Sequence, residues 1–372
     1  MIRVLFLPFL QISSGHHHVA DGMIESLSGK NGIFDCEKID ILSYRFGKIE
    51  ALVSSIYLKW IHLSPRLYSW IYLKSVYENE MDHNRYRMYE HLFLLSMEKL
   101  IEEKKPHLII CTHALPSYLL SQLKRRKKHT IPVINVYTDY FINHIWGVGE
   151  IDYHFVPNIE SLDYLKDRGI ESERIFVTGI PIHPKLKEQK KETKEQNQYS
   201  VLISGGNLGV GAIQSFIQKL HPAGNIHYRV LCGKNKNLFQ FITEMNDPMI
   251  IPLSYISSKE EMNQLYHEAD AIITKPGGVT ISECLFKKIP IFVYHALPGQ
   301  EEINLCNLKK QGLVFQLEDW NSQSNLEEQI LSILVSEQHQ NSLNEQLNAY
   351  HQQLSKQDLS VMIEKILTKH GI

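Results

Sequence analysis

Short apolar runs alternate with stretches of helical periodicity along almost the whole chain. In the first half the runs are RVLFLPFL, KIDIL, HLIICT, PVINVYT, YHFVP and IFVTG; in the second they are SVLISGG, YRVLCG, MIIPL, AIITKPGG, PIFVYH and LVFQL. Runs that are apolar throughout, instead of alternating, predict strands buried on both faces. Helical candidates such as Tyr86–Lys104 and Ser324–Val335 fall between them. This rhythm predicts an α/β chain with parallel sheets covered by helices on both sides. It is interrupted once. Lys185–Tyr199, KLKEQKKETKEQNQY, is charged and polar, has Leu186 as its one large aliphatic residue, and predicts a solvated linker. The pattern divides the chain into a Rossmann-like domain over 1–185, a linker over 186–199, a second Rossmann-like domain over 200–355 and a helical segment over 356–372. Whether that last segment packs back on the first domain is left open by periodicity.

Composition narrows the classes. With 372 residues, 43% of them hydrophobic, the chain is long enough for two cored domains. The formal net charge is −2, from 39 basic and 41 acidic residues, so no global field points to nucleic acid. The five cysteines, Cys36, Cys111, Cys232, Cys284 and Cys306, are dispersed without C-x-x-C spacing, which predicts reduced thiols in a cytosolic protein and no metal site built from them. The start, MIRVLFLPFLQISSG, has the outline of a signal peptide. Pro8 inside the run and the lack of a small-residue cleavage pattern favour a first buried strand.

No stretch of about 18 uncharged apolar residues predicts a membrane-spanning helix. The nearest is Ala51–Tyr77, interrupted by Lys59, Arg66 and Lys74, broken by Pro65 and crowded with Tyr57, Trp60, Tyr68, Trp70 and Tyr72. The pattern fits a helix lying in a membrane interface and, taken alone, fits an amphipathic pair packed on a core somewhat better.

Candidate chemistry sits in loops that follow the apolar runs. SSGHHH, Ser13–His18, follows the first run, where open α/β sheets bind ligands, and a neutral imidazole there can take a proton from an attacking hydroxyl. ISGGNLGVG, Ile203–Gly211, brings Gly205 and Gly206 to a turn where backbone can approach phosphate. It has neither the P-loop nor the dinucleotide spacing. KPGGVTISE, Lys275–Glu283, places Gly277 and Gly278 before a helix whose first turn carries Thr280, a suitable seat for a diphosphate, while Glu283 further along can accept ribose hydroxyls. HALPGQEEIN, His295–Asn304, offers Gln300, Glu301 and Asn304 to sugar hydroxyls. Each of these residues alone is equally served by a capping or turn role; together, at successive strand ends, they favour a nucleotide-sugar site.

IITKPGGVTISE followed by PGQEEIN resembles the monogalactosyldiacylglycerol synthase and processive diacylglycerol glucosyltransferase family, related to the glycosyltransferase that makes lipid II. Val136–Asn158 is similar to the family's T-D-F-x-x-H-x-x-W segment and its downstream D-x-Y-F-V element, and VTGIPIHPKL, Val177–Leu186, to the segment closing its first domain. The resemblance covers most of 1–312. It implies the two-domain glycosyltransferase B fold, an inverting hexosyl transfer from UDP-glucose or UDP-galactose to a lipid acceptor, diacylglycerol foremost, and no permanently bound cofactor. It places the enzyme peripherally on the inner face of the cell membrane and raises Ala51–Tyr77 as the part that meets an anionic surface. It puts His16 on the loop histidine proposed as base, Glu283 on the ribose-binding glutamate, Gln300 and Glu301 on the sugar-contacting pair, and Gly277, Gly278 and Thr280 on the diphosphate turn. The family's G-G-G-H or G-N-G-H loop reads SSGH here, with His17 and His18 adjacent. Asp139 and His144 are candidates to orient the base or line the acceptor pocket. Helix N-termini can stabilise the departing diphosphate, so a metal is not required in principle. Two rivals share the fold: a UDP-N-acetylglucosamine 2-epimerase, which would need neither the aromatic-basic segment nor a lipid, and a non-enzymatic nucleotide-sugar sensor.

Overall fold

A computed structural model describes residues 1–9, 15–29, 32–47, 86–186, 198–205, 212–297, 299–318, 320 and 325–372. Ala51–Tyr77, Ser13, Ser14 and the turn residues Gly206–Gly211 lie outside the described residues. The chain forms two compact units: Met1–Pro184 with Pro298–Gln300 and Gln353–Ile372, and Lys185–Leu297 with Glu301–Gln352.

Each unit is built on a six-stranded sheet whose pairings are all parallel. The first contains β1 (Ile2–Leu7), β2 (Phe34–Lys38), β3 (Leu108–Cys111), β4 (Val133–Val136), β5 (Tyr153–Val156) and β6 (Ile175–Val177), in the spatial order β2-β1-β3-β4-β5-β6. The second contains β7 (Tyr199–Ser204), β8 (Ile226–Leu231), β9 (Ile250–Leu253), β10 (Ala271–Thr274), β11 (Ile291–Val293) and β12 (Phe315–Gln316), ordered β12-β11-β10-β7-β8-β9. The direction of growth reverses between β1 and β3 in one sheet and between β7 and β10 in the other. At such a reversal the connections part to opposite faces, leaving a crevice beyond the carboxyl ends of the strands.

The continuous apolar runs are explained by burial. Every residue of β3, β4, β5 and β10 is buried, and large aliphatic side chains there contribute roughly 1.5–3 kcal/mol each by leaving water. Edge strand β2 alternates instead. Its position corrects the expected strand KIDIL. The strand is Phe34–Lys38, and Asp40 starts a helix, Ile41–Phe46, by accepting hydrogen bonds from the backbone N–H groups of Leu42 and Ser43. A capping carboxylate outweighs the β-propensity of two isoleucines.

The C-terminal helix Leu359–Lys369 groups with the first unit, where the Ser355 amide donates to the Val177 carbonyl at 2.7 Å and His370 Nε2 lies 3.3 Å from the Tyr153 hydroxyl. Among the described residues no helix is long and apolar enough to cross a membrane.

Candidate active site

In the first unit the topological reversal gathers three strand ends. After β1 the helix Gly15–Ser28 begins, so His16, His17 and His18 occupy its first turn instead of a loop. After β3 come Thr112 and His113; after β4 come Tyr137, Thr138 and Asp139. Parallel register brings these distant segments together. His16 Nδ1 lies 2.8 Å from the Thr112 carbonyl oxygen and 2.8 Å from Thr138 Oγ1. A carbonyl can only accept, so Nδ1 carries the ring proton and shares it between the two oxygens; the Thr138 hydroxyl turns its own hydrogen toward the Thr112 carbonyl, 3.5 Å away. The neutral ring is thereby left with its lone pair on Nε2. His16 is partly buried, and burial together with the nearby His17 holds its pKa down at about 4 against the pull of the Thr112 carbonyl, so the ring is neutral at pH 7.

His113 packs edge-on against His16, with ring centroids 4.7 Å apart, and the Phe9 ring lies 4.8 Å from that of His113. Its Nδ1 accepts from the Leu115 amide and caps the helix Ala114–Arg125, so its own proton is on Nε2. Burial, then the neighbouring His16 and His17, keeps His113 well below the usual imidazole range. Asp139, the expected orienting carboxylate, is partly buried and accepts at Oδ2 from Gln300 Nε2, both residues grouping with the first unit. His144 is also partly buried.

Beneath this cluster the Val136–Asn158 segment is largely scaffold. Tyr137 is 1% exposed, packs on Trp146 at 4.6 Å between centroids, and places its hydroxyl 2.9 Å from His154 Nδ1. Asn135 donates to the Gly147 carbonyl at 2.8 Å. A Cβ on Gly147 would meet Ser121 Cβ at 2.5 Å and the Ser117 carbonyl at 2.7 Å, so packing admits only glycine there.

In the second unit the reversal brings together the ends of β7 and β10. Gly205 follows β7 and is buried. After β10, Gly277 is the N-cap of the helix Gly278–Phe286, with φ −80° and no side-chain capping bond. Neither backbone conformation nor packing requires a glycine here, since nothing lies within 4 Å of an added Cβ. The first-turn amides, including that of Thr280, therefore present donors to whatever approaches. Glu283 lies on the same helix, 7% exposed. It accepts from the Tyr266 hydroxyl at 2.7 Å, and Lys259 Nζ stands 3.9 Å from its other oxygen. Burial raises its pKa, partly offset by Lys259 and the tyrosine hydrogen bond.

The helix Gln300–Lys310 braces this turn. Asn304, 1% exposed, donates to the Pro276 carbonyl at 3.1 Å. Glu301 accepts from the Leu297 amide at 2.6 Å and lies 3.9 Å from Lys275. Both residues hold the loop rather than simply projecting from it. A cavity of about 550 Å³ opens beyond β11 and β12, lined by Tyr294, His295, Glu302, Gln316, Glu318 and Trp320. Neither Gly277 nor Glu283 lines it, and the capped turn, with its donors and carboxylate, is the better-equipped seat for a charged ligand.

Three contributors escaped the pattern of motifs, Thr112, Tyr266 and Lys259, while Thr138 lay inside the T-D-F-like segment without being read as a partner of His16. Threonine directly after the apolar core in both HLIICT and VINVYT is the one available signal. Thr112 acts through its carbonyl, which no side-chain motif encodes, and Tyr266 and Lys259 belong to a surface-patterned helix, Lys259–Glu268.

Residues 16–182 match the family described as monogalactosyldiacylglycerol (MGDG) synthase, and residues 200–360 match the glycosyltransferase family 28 C-terminal domain. The chain is 43% identical over 99% of its length to a Bacillus subtilis (strain 168) protein named "Uncharacterized glycosyltransferase YkoN", covering 98% of that protein. It is 27% identical, over 82% of this chain and 80% of the other, to a processive diacylglycerol beta-glucosyltransferase of Bacillus mycoides (strain KBAB4). The crystal structure of Acinetobacter baumannii MurG superposes with a TM-score of 0.62, covering 99% of this chain and 100% of that one, at 13% identity, a likeness of fold alone.

Proposed function

The chain belongs to the monogalactosyldiacylglycerol synthase family of glycosyltransferases, with a family 28 C-terminal domain and the glycosyltransferase B fold, and from that premise we propose that it moves a hexose from a UDP-sugar to the hydroxyl of a diacylglycerol at a membrane surface. The observation that carries the mechanism is the imidazole of His16, with its proton held on Nδ1 and its lone pair on Nε2.

The acceptor O–H gives its proton to His16 Nε2 as its oxygen bonds to the anomeric carbon. The bond from that carbon to the diphosphate oxygen breaks, UDP leaves with the electron pair, and the configuration inverts. The donor is assigned to the second unit. Backbone donors at Gly277, Gly278 and Thr280 take the charge that develops on the diphosphate, and Gly205 and Gly206 are assigned to the same ligand on their sequence. Glu283 accepts ribose hydroxyls; Gln300, Glu301 and Asn304 shape the sugar side, the last two by holding the loop. Asp139 lines the acceptor side beside the base.

The name of the Bacillus mycoides relative supports the lipid acceptor and a glucosyl donor. Ala51–Tyr77 is assigned the membrane contact on its sequence alone: Trp and Tyr rings with Lys and Arg stems suit an anionic interface. The test incubates the protein with diacylglycerol-containing anionic liposomes and a panel of UDP-sugars, and identifies products by mass spectrometry. A hexosyl-diacylglycerol is the expected product. Isomerisation of UDP-N-acetylglucosamine without a glycolipid would establish the epimerase instead, and binding of UDP without turnover of any donor would establish a sensor.

A further inference from the structure

The base is oriented by oxygens that belong to no carboxylate. His16 Nδ1 is 2.8 Å from the Thr112 carbonyl and 2.8 Å from Thr138 Oγ1. The carbonyl demands a proton on Nδ1, and the threonine hydroxyl accepts the second branch of that bond. Thr138 is 4% exposed and stands two residues beyond β4, so its hydroxyl cannot swing away without disturbing buried packing. When Nε2 takes up a proton the ring becomes an imidazolium. Its Nδ1–H then becomes a charge-assisted donor, and both oxygens bind it more strongly than they bind the neutral ring.

We propose that Thr138 is a positioning residue for the reaction: its hydroxyl, with the Thr112 carbonyl, locks His16 in the Nδ1–H tautomer and steadies the imidazolium formed on Nε2. The proposal rests on His16 being the base. The titratable groups around the ring are His17 on the same helix, His113 at the end of β3 packed edge-on, and Asp139 beside Thr138. His113 is held neutral by burial, so it adds no positive charge that would oppose proton uptake. The lock replaces the negative partner expected in Asp139 with two neutral acceptors. Neutral acceptors fix the tautomer while leaving the ring's pKa low, which keeps Nε2 unprotonated and available at neutral pH.

The test uses the full chain in two arms. In the first, protein labelled with ¹⁵N-histidine is examined by long-range ¹H–¹⁵N NMR at pH 7, the His16 signals being assigned by difference against His16→Gln. The wild type should show protonated Nδ1 and bare Nε2. Thr138→Val keeps the Thr112 carbonyl and should keep the Nδ1–H tautomer, but the Nδ1 proton, left with one acceptor, should move upfield, and Thr138→Ser should restore the wild-type shift. A wild-type ring protonated on Nε2, or already mixed, overturns the proposal whatever the variants do. In the second arm, turnover of UDP-sugar on diacylglycerol liposomes should fall about tenfold in kcat for Thr138→Val, the loss of one of two hydrogen bonds. KM for the donor should stay within about twofold, and Thr138→Ser should recover most of the rate. The acid limb of kcat should move to lower pH in Thr138→Val, because the imidazolium loses an acceptor. A Thr138→Val enzyme with wild-type kcat, acid limb and Nδ1 proton shift would sink the idea. If the Nδ1 proton shift moves as expected while no preparation makes a glycolipid, the hydrogen bond to Thr138 stands and the lipid-transfer reading fails.

Discussion

The two units solve the same topological problem and put different chemistry at the solution. Each has a six-stranded parallel sheet with one reversal of strand order, and each gathers its candidate residues at that reversal. In the first unit the reversal between β1 and β3 collects side chains: His16, His113 and Thr138, held among carbonyls and aromatic rings. In the second the reversal between β7 and β10 collects backbone: a glycine-capped helix start whose cap carries no side-chain bond, braced by Asn304 and Glu301 from behind. A proton acceptor must be a titratable side chain in a partly dry place. A diphosphate is better met by several amide donors that need no titration and no reorganisation. On the proposed reading, the same crevice therefore serves a base in one sheet and an anion seat in the other. Damage to the first should appear in kcat with UDP binding intact, and damage to the second in UDP affinity.

The largest expected effect is at the base. His16→Ala should lower kcat by roughly 10²–10⁴ while calorimetric UDP affinity stays at the wild-type value. His17→Ala and His18→Ala should cost much less. If His16→Ala turns over normally and one of its neighbours is dead, the division between units survives but the base is reassigned; if all three remain active, Asp139 is next to be tested.

Glu283→Ala should weaken UDP by about 1–3 kcal/mol through lost hydrogen bonds, with kcat at saturating donor little changed. It should also lower thermal stability, because the Tyr266 hydroxyl loses its buried acceptor. Glu283→Gln separates the effects: it keeps an acceptor for Tyr266, so stability should recover more than affinity. Unchanged UDP binding in Glu283→Ala would remove the carboxylate from the donor site.

Acid pH should split the two units. Burial and the nearby His17 push the folded-state pKa of His16 down to about 4, below the ordinary imidazole value of 6.5. The ring thus stays neutral as pH falls through the range where an exposed histidine charges, and the acid limb of kcat should lie near 4–5. Since the unfolded ring takes up a proton first, His16 also makes the fold lose stability as pH falls from about 6.5 toward 4. Glu283 has the opposite sign: burial raises its pKa, so its carboxylate should protonate, and UDP affinity fall, at a higher pH than an exposed glutamate would set. A donor KM that is flat down to pH 4 would break this part of the comparison.

The smallest effect is also the sharpest for the glycine turn. Gly277→Ala adds a methyl with nothing within 4 Å and needs no change of φ from −80°, so stability should change by less than about 1 kcal/mol. UDP affinity should nevertheless drop several-fold if a diphosphate lies against that backbone. A melting temperature and an affinity both at wild-type values would show that the turn holds no ligand there.

Much of this was readable along the chain. Apolar runs located eleven of the twelve strands because strands with both faces covered are mostly apolar, as in β3, β4, β5 and β10, whose residues are all buried. Pro-Gly-Gly before a helix marked the second unit's turn, and the histidines after the first strand marked the place where the first unit's strand ends meet. One strand was misplaced where Asp40, a local hydrogen-bond acceptor, turned an apolar pair into a helix start.

What the linear pattern could not supply was which strand ends are neighbours. Strand order is decided by how helices pack on a twisted sheet, and no residue spacing encodes it. The pairing of β1 with β3 and of β3 with β4 set Thr112 and Thr138 against a histidine about a hundred residues away, and so decided the tautomer of the base. The same packing tied Asn304 and Glu301, read from sequence as sugar contacts, to the backbone of the loops they steady. Sequence determined which groups are available, because chemistry resides in residue types. Tertiary structure decided which atoms of those groups are spent on holding the site and which are left to act, because a hydrogen bond depends on positions within a few tenths of an ångström that only packing defines.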